Sequence, residues 1–138
     1  MYGMVNKAVE ELVIAKFGED KWEQIKAKAG VEIDVFISNE GYPDSVTYSL
    51  VRAATEVLGL TSDQVLEAFG EWWILRTARD GYGELLNAGG KNIGEFLINL
   101  PNFHSRIVMI FPDLKPPRFV VTPTGDRSVH LRYIDRKS

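Results

Sequence analysis

The sequence predicts an α+β fold, mainly helical, in which the helices come first and an antiparallel β-hairpin comes last. Two observations support this order. Up to about residue 111 the apolar residues recur at helical spacing, and the segments begin and end at capping residues and glycines. After Pro112 the apolar residues alternate with polar ones, which is the period of a strand. The chain has 138 residues, of which 45% are hydrophobic, and this predicts a single domain.

Four amphipathic helices are predicted in the first part of the chain. They cover residues 2–17, about 20–29, 44–58 and about 62–79. Gly18 and Gly59 end the first and third helices, because glycine favours the residue that follows a helix. Thr61 and Gln64 form a capping-box pattern at the start of the fourth. The segment 31–38 is short and β-branched, and its structure is ambiguous.

The second part of the chain is predicted to hold a short helical turn and one long ligand-bearing helix. The turn covers residues 81–88 and ends at two glycines. Asn92 and Glu95 again form a capping-box pattern. Pro101 is placed in the first turn of the helix that carries His104, because the missing amide donor costs nothing there.

A β-hairpin is predicted at the end of the chain. Residues 122–126, Thr-Pro-Thr-Gly-Asp, form its turn. The alternating apolar residues are Phe119, Val121, Val129, Leu131 and Tyr133. A two-stranded ribbon alone is marginally stable in water. We therefore expect that the remainder of the sheet is missing, because the chain is shortened, is a natural fragment, or is completed by another polypeptide.

The composition excludes several kinds of site. The chain has no cysteine, so disulfides, thiolate metal sites, a cysteine nucleophile and covalent haem attachment are excluded. The net charge of −3 gives no reason to expect nucleic acid or a membrane as partner. No spanning helix or signal peptide is recognisable, and we expect a cytoplasmic protein.

His104 is the most informative candidate residue. It is one of two histidines, and apolar residues occupy the helical contact positions around it. These are Leu97, Leu100, Ile107, Val108 and Phe111. A polar ring in such a stripe needs a partner. A backbone carbonyl or a water is the common one, and the iron of a flat apolar cofactor is the alternative.

Five segments, in this order and spacing, closely resemble the haem nitric oxide/oxygen binding (H-NOX) domains, the sensors of soluble guanylate cyclases. They are residues 1–8, 68–73, 81–86, 100–106 and 111–119. The resemblance implies a single H-NOX domain over residues 1–138. Its distal helical part covers about 1–60, and the ligand helix and hairpin cover about 61–138. It also implies a noncovalently bound haem b.

The resemblance implies a role for each matching residue. His104 is the proximal iron ligand, and Leu97, Leu100 and Val108 pack under the macrocycle. Pro117 matches the proline that presses on the haem. The residues expected on the cofactor's other face are Met1, Val5, Val9 and Trp73. Taken without the resemblance, Val5, Val9 and Trp73 read as ordinary core residues.

A carboxylate clamp of the pattern Tyr-x-Ser-x-Arg is expected near the end of the chain. Tyr133 matches its tyrosine. Asp135 replaces the serine and would repel a haem propionate. The cation in register is Lys137, whereas Arg136 is offset by one residue, and a bulge would be needed to re-aim it.

The resemblance implies a sensor rather than an enzyme. Nitric oxide would bind the ferrous iron and weaken or break its bond to His104, with carbon monoxide and oxygen as further candidate ligands. Signalling partners in the family are guanylate cyclase domains, histidine kinases and cyclic-di-nucleotide enzymes. The apolar distal residues favour nitric oxide over oxygen. They also argue against a peroxidase, which needs a distal acid or base. The remaining alternative is a haem-free protein-protein interaction module with the same fold.

Overall fold

The computed structural model describes residues 1–135 and shows the predicted α+β fold, with helices first and a two-stranded antiparallel sheet last. The described chain forms two compact units, Met1–Thr77 and the residues from Ala78 onward. The elements are α1 Gly3–Phe17, α2 Glu19–Ala29, α3 Asp44–Leu58, α4 Ser62–Trp72, a π-helix Trp73–Ala78, α5 Arg79–Asn87, α6 Ile93–Ile110, β1 Arg118–Gly125 and β2 Ser128–Ile134.

Helices α1 to α4 pack around the hydrophobic core of the first unit. Gly18 and Gly59 have positive φ angles and end α1 and α3, as the sequence predicted. Thr61 and Gln64 form both hydrogen bonds of the predicted capping box. The buried core residues are Val9, Val13, Trp22, Ile25, Phe36, Leu50, Ala53, Ala54 and Val65. Helix α4 packs against α1 and α3, and this unit extends to Thr77. The expected division into a distal part and a ligand-helix part near residue 60 stays a prediction.

The ambiguous segment 31–38 forms neither a helix nor a strand, but it packs closely on the start of α1. Phe36 is 3% exposed, and its ring lies 5.5 Å from that of Tyr42 in an edge-on arrangement. The Gly3 amide donates to the carbonyl of Glu40 at 2.8 Å. A Cβ atom at Gly3 would lie 2.7 Å from Tyr42 Cε2. The absence of a side chain at residue 3 therefore allows this close packing.

The helix predicted over 62–79 is not a uniform α-helix. It changes at Trp73 into a π-helix that ends at Ala78, and Arg79 begins α5. Tyr82 has φ −138° and ψ 29°, so α5 is kinked there rather than a simple turn over 81–88. Single π turns are rare and often lie near functional sites. Residue spacing did not indicate it, because a single π turn is too short to establish an apolar period of its own.

The prediction that Pro101 opens the ligand-bearing helix is wrong. Helix α6 begins at Ile93, and Pro101 lies inside it. The Asn92 side chain accepts a hydrogen bond from the Glu95 amide at 3.0 Å and so caps the helix eight residues earlier. Pro101 has no amide hydrogen to donate, so one bond of the helical ladder is missing three residues before His104.

The hairpin is present, but its turn is later than predicted. Residues 122–124 belong to β1, and the chain turns between Gly125 and Ser128. The register shifts between Pro123 and Gly125, which is a β-bulge. A bulge lets the strand continue past the proline, which the sequence pattern alone assigned to the turn. No helix within residues 1–135 is long and apolar enough to cross a membrane.

Gly3→Ala is expected to destabilise the protein, because the added methyl group would overlap Tyr42 and the Ile37 backbone. Overpacking of this kind costs about 1–3 kcal/mol in the free energy of unfolding. Gly70→Ala is the matched control, since it lies in α4 with nothing within 4 Å of its added Cβ. The control is expected to gain about 0.5–1 kcal/mol. Urea unfolding of both variants measures the difference, and equal stabilities would contradict the packing argument.

Candidate functional site

The imidazole of His104 lies on α6, facing the start of β1. Helix α6 packs against β1. The ring centroids of His104 and Phe119 are 5.8 Å apart. Within residues 1–135 the imidazole forms no hydrogen bond or ion pair with another protein group. The backbone carbonyl considered as its partner from the sequence is therefore not observed in the described chain.

Partial burial sets the protonation state of His104. Loss of solvation lowers the pKa of the imidazole below its usual value of 6.5, because the charged form is disfavoured among apolar groups. The neutral ring predominates at pH 7 and keeps one nitrogen lone pair available. A neutral imidazole nitrogen is the form that coordinates a metal.

A cavity of about 470 Å³ lies against His104 within the second unit. Its volume falls in the range of about 300–1,000 Å³ typical of small-molecule sites. Of the predicted cofactor residues, His104, Val108 and Pro117 line it. The other lining residues are Pro101, Ser105, Leu114, Lys115, Pro116, Arg118 and Phe119. The structure therefore brings together the predicted ligand, one predicted apolar contact and the predicted proline.

Two other residues of α6 were predicted to contact the cofactor. They are close to His104 in sequence but do not line this cavity. Leu97 and Leu100 are partly buried on α6, before His104. The cavity wall described by the structure begins at Pro101 and is completed by the segment 114–119. Their contact with a cofactor stays a prediction.

The residues expected on the other face of the cofactor belong to the first unit. Val5 is partly buried, and Val9 is 5% exposed within the hydrophobic core. The ring of Trp73 lies 5.7 Å from that of Phe69. The amino group of Met1 donates to the Tyr42 carbonyl at 2.6 Å and lies 2.8 Å from an Asp44 carboxylate oxygen. Cofactor contact by these four residues also stays a prediction.

The expected carboxylate clamp is described only in part. Tyr133 is 59% exposed, and its ring lies 5.6 Å from that of Phe119 across the two strands. Asp135 is exposed just after β2. Arg136 and Lys137 lie outside the described residues, so the clamp stays a prediction.

Sequence reasoning missed the contribution of the residues on either side of Pro117. Lys115 and Arg118 line the cavity, and Phe119 contacts the His104 ring. The signal was present in the run Leu-Lys-Pro-Pro-Arg-Phe over residues 114–119. Two consecutive prolines fix the backbone between two cations.

The donor set of this cavity fits a haem. His104 offers an imidazole whose nitrogens form no hydrogen bond to the described protein, so one of them is free to coordinate iron. Val108, Leu114 and Phe119 offer apolar surface for a flat macrocycle. The described residues contain no cluster of three or more histidine or acidic side chains that could hold a metal ion by themselves. A single protein nitrogen beside an apolar wall matches an iron that is already held in a porphyrin.

Comparison with known proteins identifies the family. The family described as "Haem-NO-binding" matches residues 2–137. The chain belongs to the haem-NO-binding, or H-NOX, family. Members bind haem, and the domain is a sensor rather than a catalytic unit. In soluble guanylate cyclases the cyclase is a separate domain.

Relatives and solved structures agree with this assignment. The chain is 35% identical over 136 residues to soluble guanylate cyclase gcy-32 of Caenorhabditis elegans, covering 96% of this chain and 20% of that protein. It is 34% identical over 136 residues to gcy-34 of the same organism, with the same coverage of both chains. It therefore spans about a fifth of the length of these relatives.

Two solved H-NOX structures share the fold. The unliganded Fe(II) H-NOX protein from K. algicida is 25% identical with a TM-score of 0.84, covering 99% of this chain and 74% of that chain. The H-NOX protein from S. oneidensis in the Fe(II)NO state is 17% identical with a TM-score of 0.86, covering 99% and 76%. The second likeness shows the fold alone.

The stability of the haem-free protein is expected to depend on pH through His104. Burial lowers its pKa in the folded state, so below about pH 6.5 the unfolded chain binds more protons than the folded chain. The free energy of unfolding therefore falls as the pH is lowered through the unfolded-state pKa toward the folded-state pKa. Urea unfolding between about pH 7.5 and pH 5 measures this decline.

His104→Gln is expected to remove this part of the decline, because glutamine does not titrate. His130→Gln is the matched control, since His130 is exposed on β2 and does not line the cavity. The control is expected to keep the contribution of His104. The same pH dependence in His104→Gln and in the wild type would contradict the burial argument.

Proposed function

We propose that residues 1–138 form a haem-based gas sensor in which His104 is the proximal ligand of a noncovalently bound haem b. The observation that carries this proposal is the neutral His104 imidazole, without a hydrogen bond to the described protein, on the wall of a 470 Å³ cavity. When bound, haem supplies a ferrous iron that takes up nitric oxide. The residues of this chain determine how the iron is held and how the protein responds when His104 is released from it.

His104 holds the iron from the side of α6, while Val108 and Pro117 exclude water from that side. Pro117 presents a rigid ring in the same cavity, suited to distorting a flat ligand. Bound nitric oxide would weaken or break the bond between His104 and the iron, as the family resemblance implies. Helix α6 would then no longer be tethered at residue 104.

Helix α6 contains a feature that supports such a movement. Pro101 leaves one hydrogen bond of the helical ladder unmade, one turn before His104. Ser105 Oγ instead donates to the Pro101 carbonyl at 3.0 Å. Helices bend most readily at prolines. If His104 is released, we therefore expect α6 to bend at Pro101 rather than to move as a whole.

Nitric oxide is favoured over oxygen in this proposal because Val5 and Val9, two of the expected distal residues, offer no hydrogen-bond donor. Bound oxygen accumulates negative charge and is held strongly by a hydrogen-bond donor, whereas nitric oxide needs less help of this kind. Val5 and Val9 carry no polar atom in their side chains. The family resemblance implies that Trp73 stands where oxygen-binding members carry an amide.

The signal requires a partner that distinguishes two conformations of the domain. A ligand shifts an equilibrium only by its difference in affinity for the two states. The relatives named above are soluble guanylate cyclases, and a cyclase domain is one candidate partner. A histidine kinase and a cyclic-di-nucleotide enzyme are the others. We place this sensing in the cytoplasm.

Reconstitution with haem tests the role of His104. The wild-type protein is expected to show a Soret band after addition of haem b and dithionite, and this spectrum is expected to shift on addition of nitric oxide. His104→Gly removes the ligand and leaves a space, so haem binding is expected to weaken at least tenfold. Free imidazole fills such a space and is expected to restore the wild-type spectrum.

His130→Gly is the matched control and is expected to bind haem as the wild type does, with no response to imidazole. Wild-type protein that stays folded but gives no Soret band would overturn the proposal and favour the haem-free interaction module. A His104→Gly variant with an unchanged spectrum would assign the ligand to another residue.

Selectivity among gases is tested on the same reduced protein. Exposure to air is expected to produce no stable oxygen-bound spectrum, because Val5 and Val9 offer no donor to bound oxygen. An anaerobic addition of nitric oxide to the same sample is the positive control. An oxygen complex that persists for minutes in air would contradict the proposed selectivity while leaving haem binding intact.

A further inference from the structure

The cavity beside His104 has a one-sided charge. Lys115 and Arg118 are on its wall, and no aspartate or glutamate is among the described lining residues. The whole chain carries a net charge of −3, so an excess of two positive charges in one cavity runs against the average composition. The rest of the wall is apolar or weakly polar. Such a cavity is complementary to a ligand with an apolar body and an anionic edge.

Neither cation is neutralised by a described acidic side chain. Within residues 1–135, Lys115 and Arg118 form no ion pair, and both side chains are exposed at the cavity. Solvated surface cations are common, so exposure alone would indicate nothing. These two differ because Pro116 and Pro117 hold the backbone between them, in the same cavity as His104.

Arg118 has the more defined position. It is the first residue of β1 and is paired with Ile134 of β2, while the next residue, Phe119, contacts the His104 ring. The pairing fixes the backbone of Arg118 at the start of β1, and its side chain places a positive charge on the wall of the cavity.

We propose that Arg118, assisted by Lys115, binds the carboxylate groups of the haem that the proposed function places in this cavity. The guanidinium offers two parallel N–H donors that match a carboxylate, whereas the lysine ammonium acts as a point charge. Arg118 therefore contributes most of the specificity for a carboxylate, and Lys115 adds attraction. This inference rests on the proposed function, because it assigns residues to the same ligand.

The test compares haem b with its dimethyl ester, in which the carboxylates are blocked. Both are titrated into the full chain, and the dissociation constant is read from the Soret band. Arg118→Gln is expected to weaken the binding of haem b roughly tenfold, as loss of a hydrogen bond to a charged group implies. The same variant is expected to bind the dimethyl ester as the wild type does. The affinity of Arg118→Lys for haem b is expected to lie between those of the wild type and of Arg118→Gln.

Arg132→Gln is the matched control, because Arg132 is exposed on β2 and does not line the cavity. It is expected to bind both ligands as the wild type does. Lys115→Gln is expected to weaken only haem b, by less than Arg118→Gln. If Arg118→Gln fails to fold, the affinities of Arg118→Lys and Lys115→Gln for the two ligands test the inference. Weaker binding of haem b with unchanged binding of the ester would support it.

Three outcomes would overturn the inference. Equal weakening of haem b and its ester by Arg118→Gln would indicate a structural role. Unchanged binding of haem b would show that Arg118 does not contact the carboxylates, and the proposed function would stand. Folded wild-type protein that binds neither ligand would remove the proposed function and this inference with it.

Discussion

The packing of α6 against β1 is the contact on which the candidate site depends. It brings His104 within 5.8 Å of Phe119, between ring centroids, and leaves the imidazole without a hydrogen bond to the described protein. The ring is partly buried, and a polar group in such a place pairs with water or with a ligand from outside the polypeptide. Desolvation lowers its pKa and leaves it neutral, and a neutral nitrogen on an apolar wall is what an axial haem ligand requires.

Two further segments of the chain depart from regular α-helical hydrogen bonding. Pro101 interrupts the hydrogen bonds of α6 just before His104, and the π-helix Trp73–Ala78 contains the boundary between the two compact units. Buried polar atoms in the described chain without a partner include Trp72 Nε1 and Thr77 Oγ1, at the two ends of this segment. Both segments depart from regular α-helical bonding, and such departures are often found near functional sites.

Local signals in the sequence predicted most of the secondary structure correctly. The capping box at Thr61 and the glycines that end α1 and α3 act within one helical turn, so their chemistry is readable without the fold. The prediction for Pro101 failed because the Asn92 cap starts the helix earlier, and continuous packing of α6 outweighs one lost hydrogen bond. The hairpin turn was misplaced because a β-bulge allows a strand to continue past Pro123.

The sequence by itself determined the order of helices and hairpin and the H-NOX family, because periodicity, capping residues and motif spacing are properties of neighbouring positions. It also predicted His104 as the candidate ligand. Only the tertiary structure decided that Lys115 and Arg118 share a cavity with His104. Those residues are separated by more than ten positions, and two prolines and a strand pairing bring them together. Charge and burial at a site depend on such distant contacts, which no local pattern encodes.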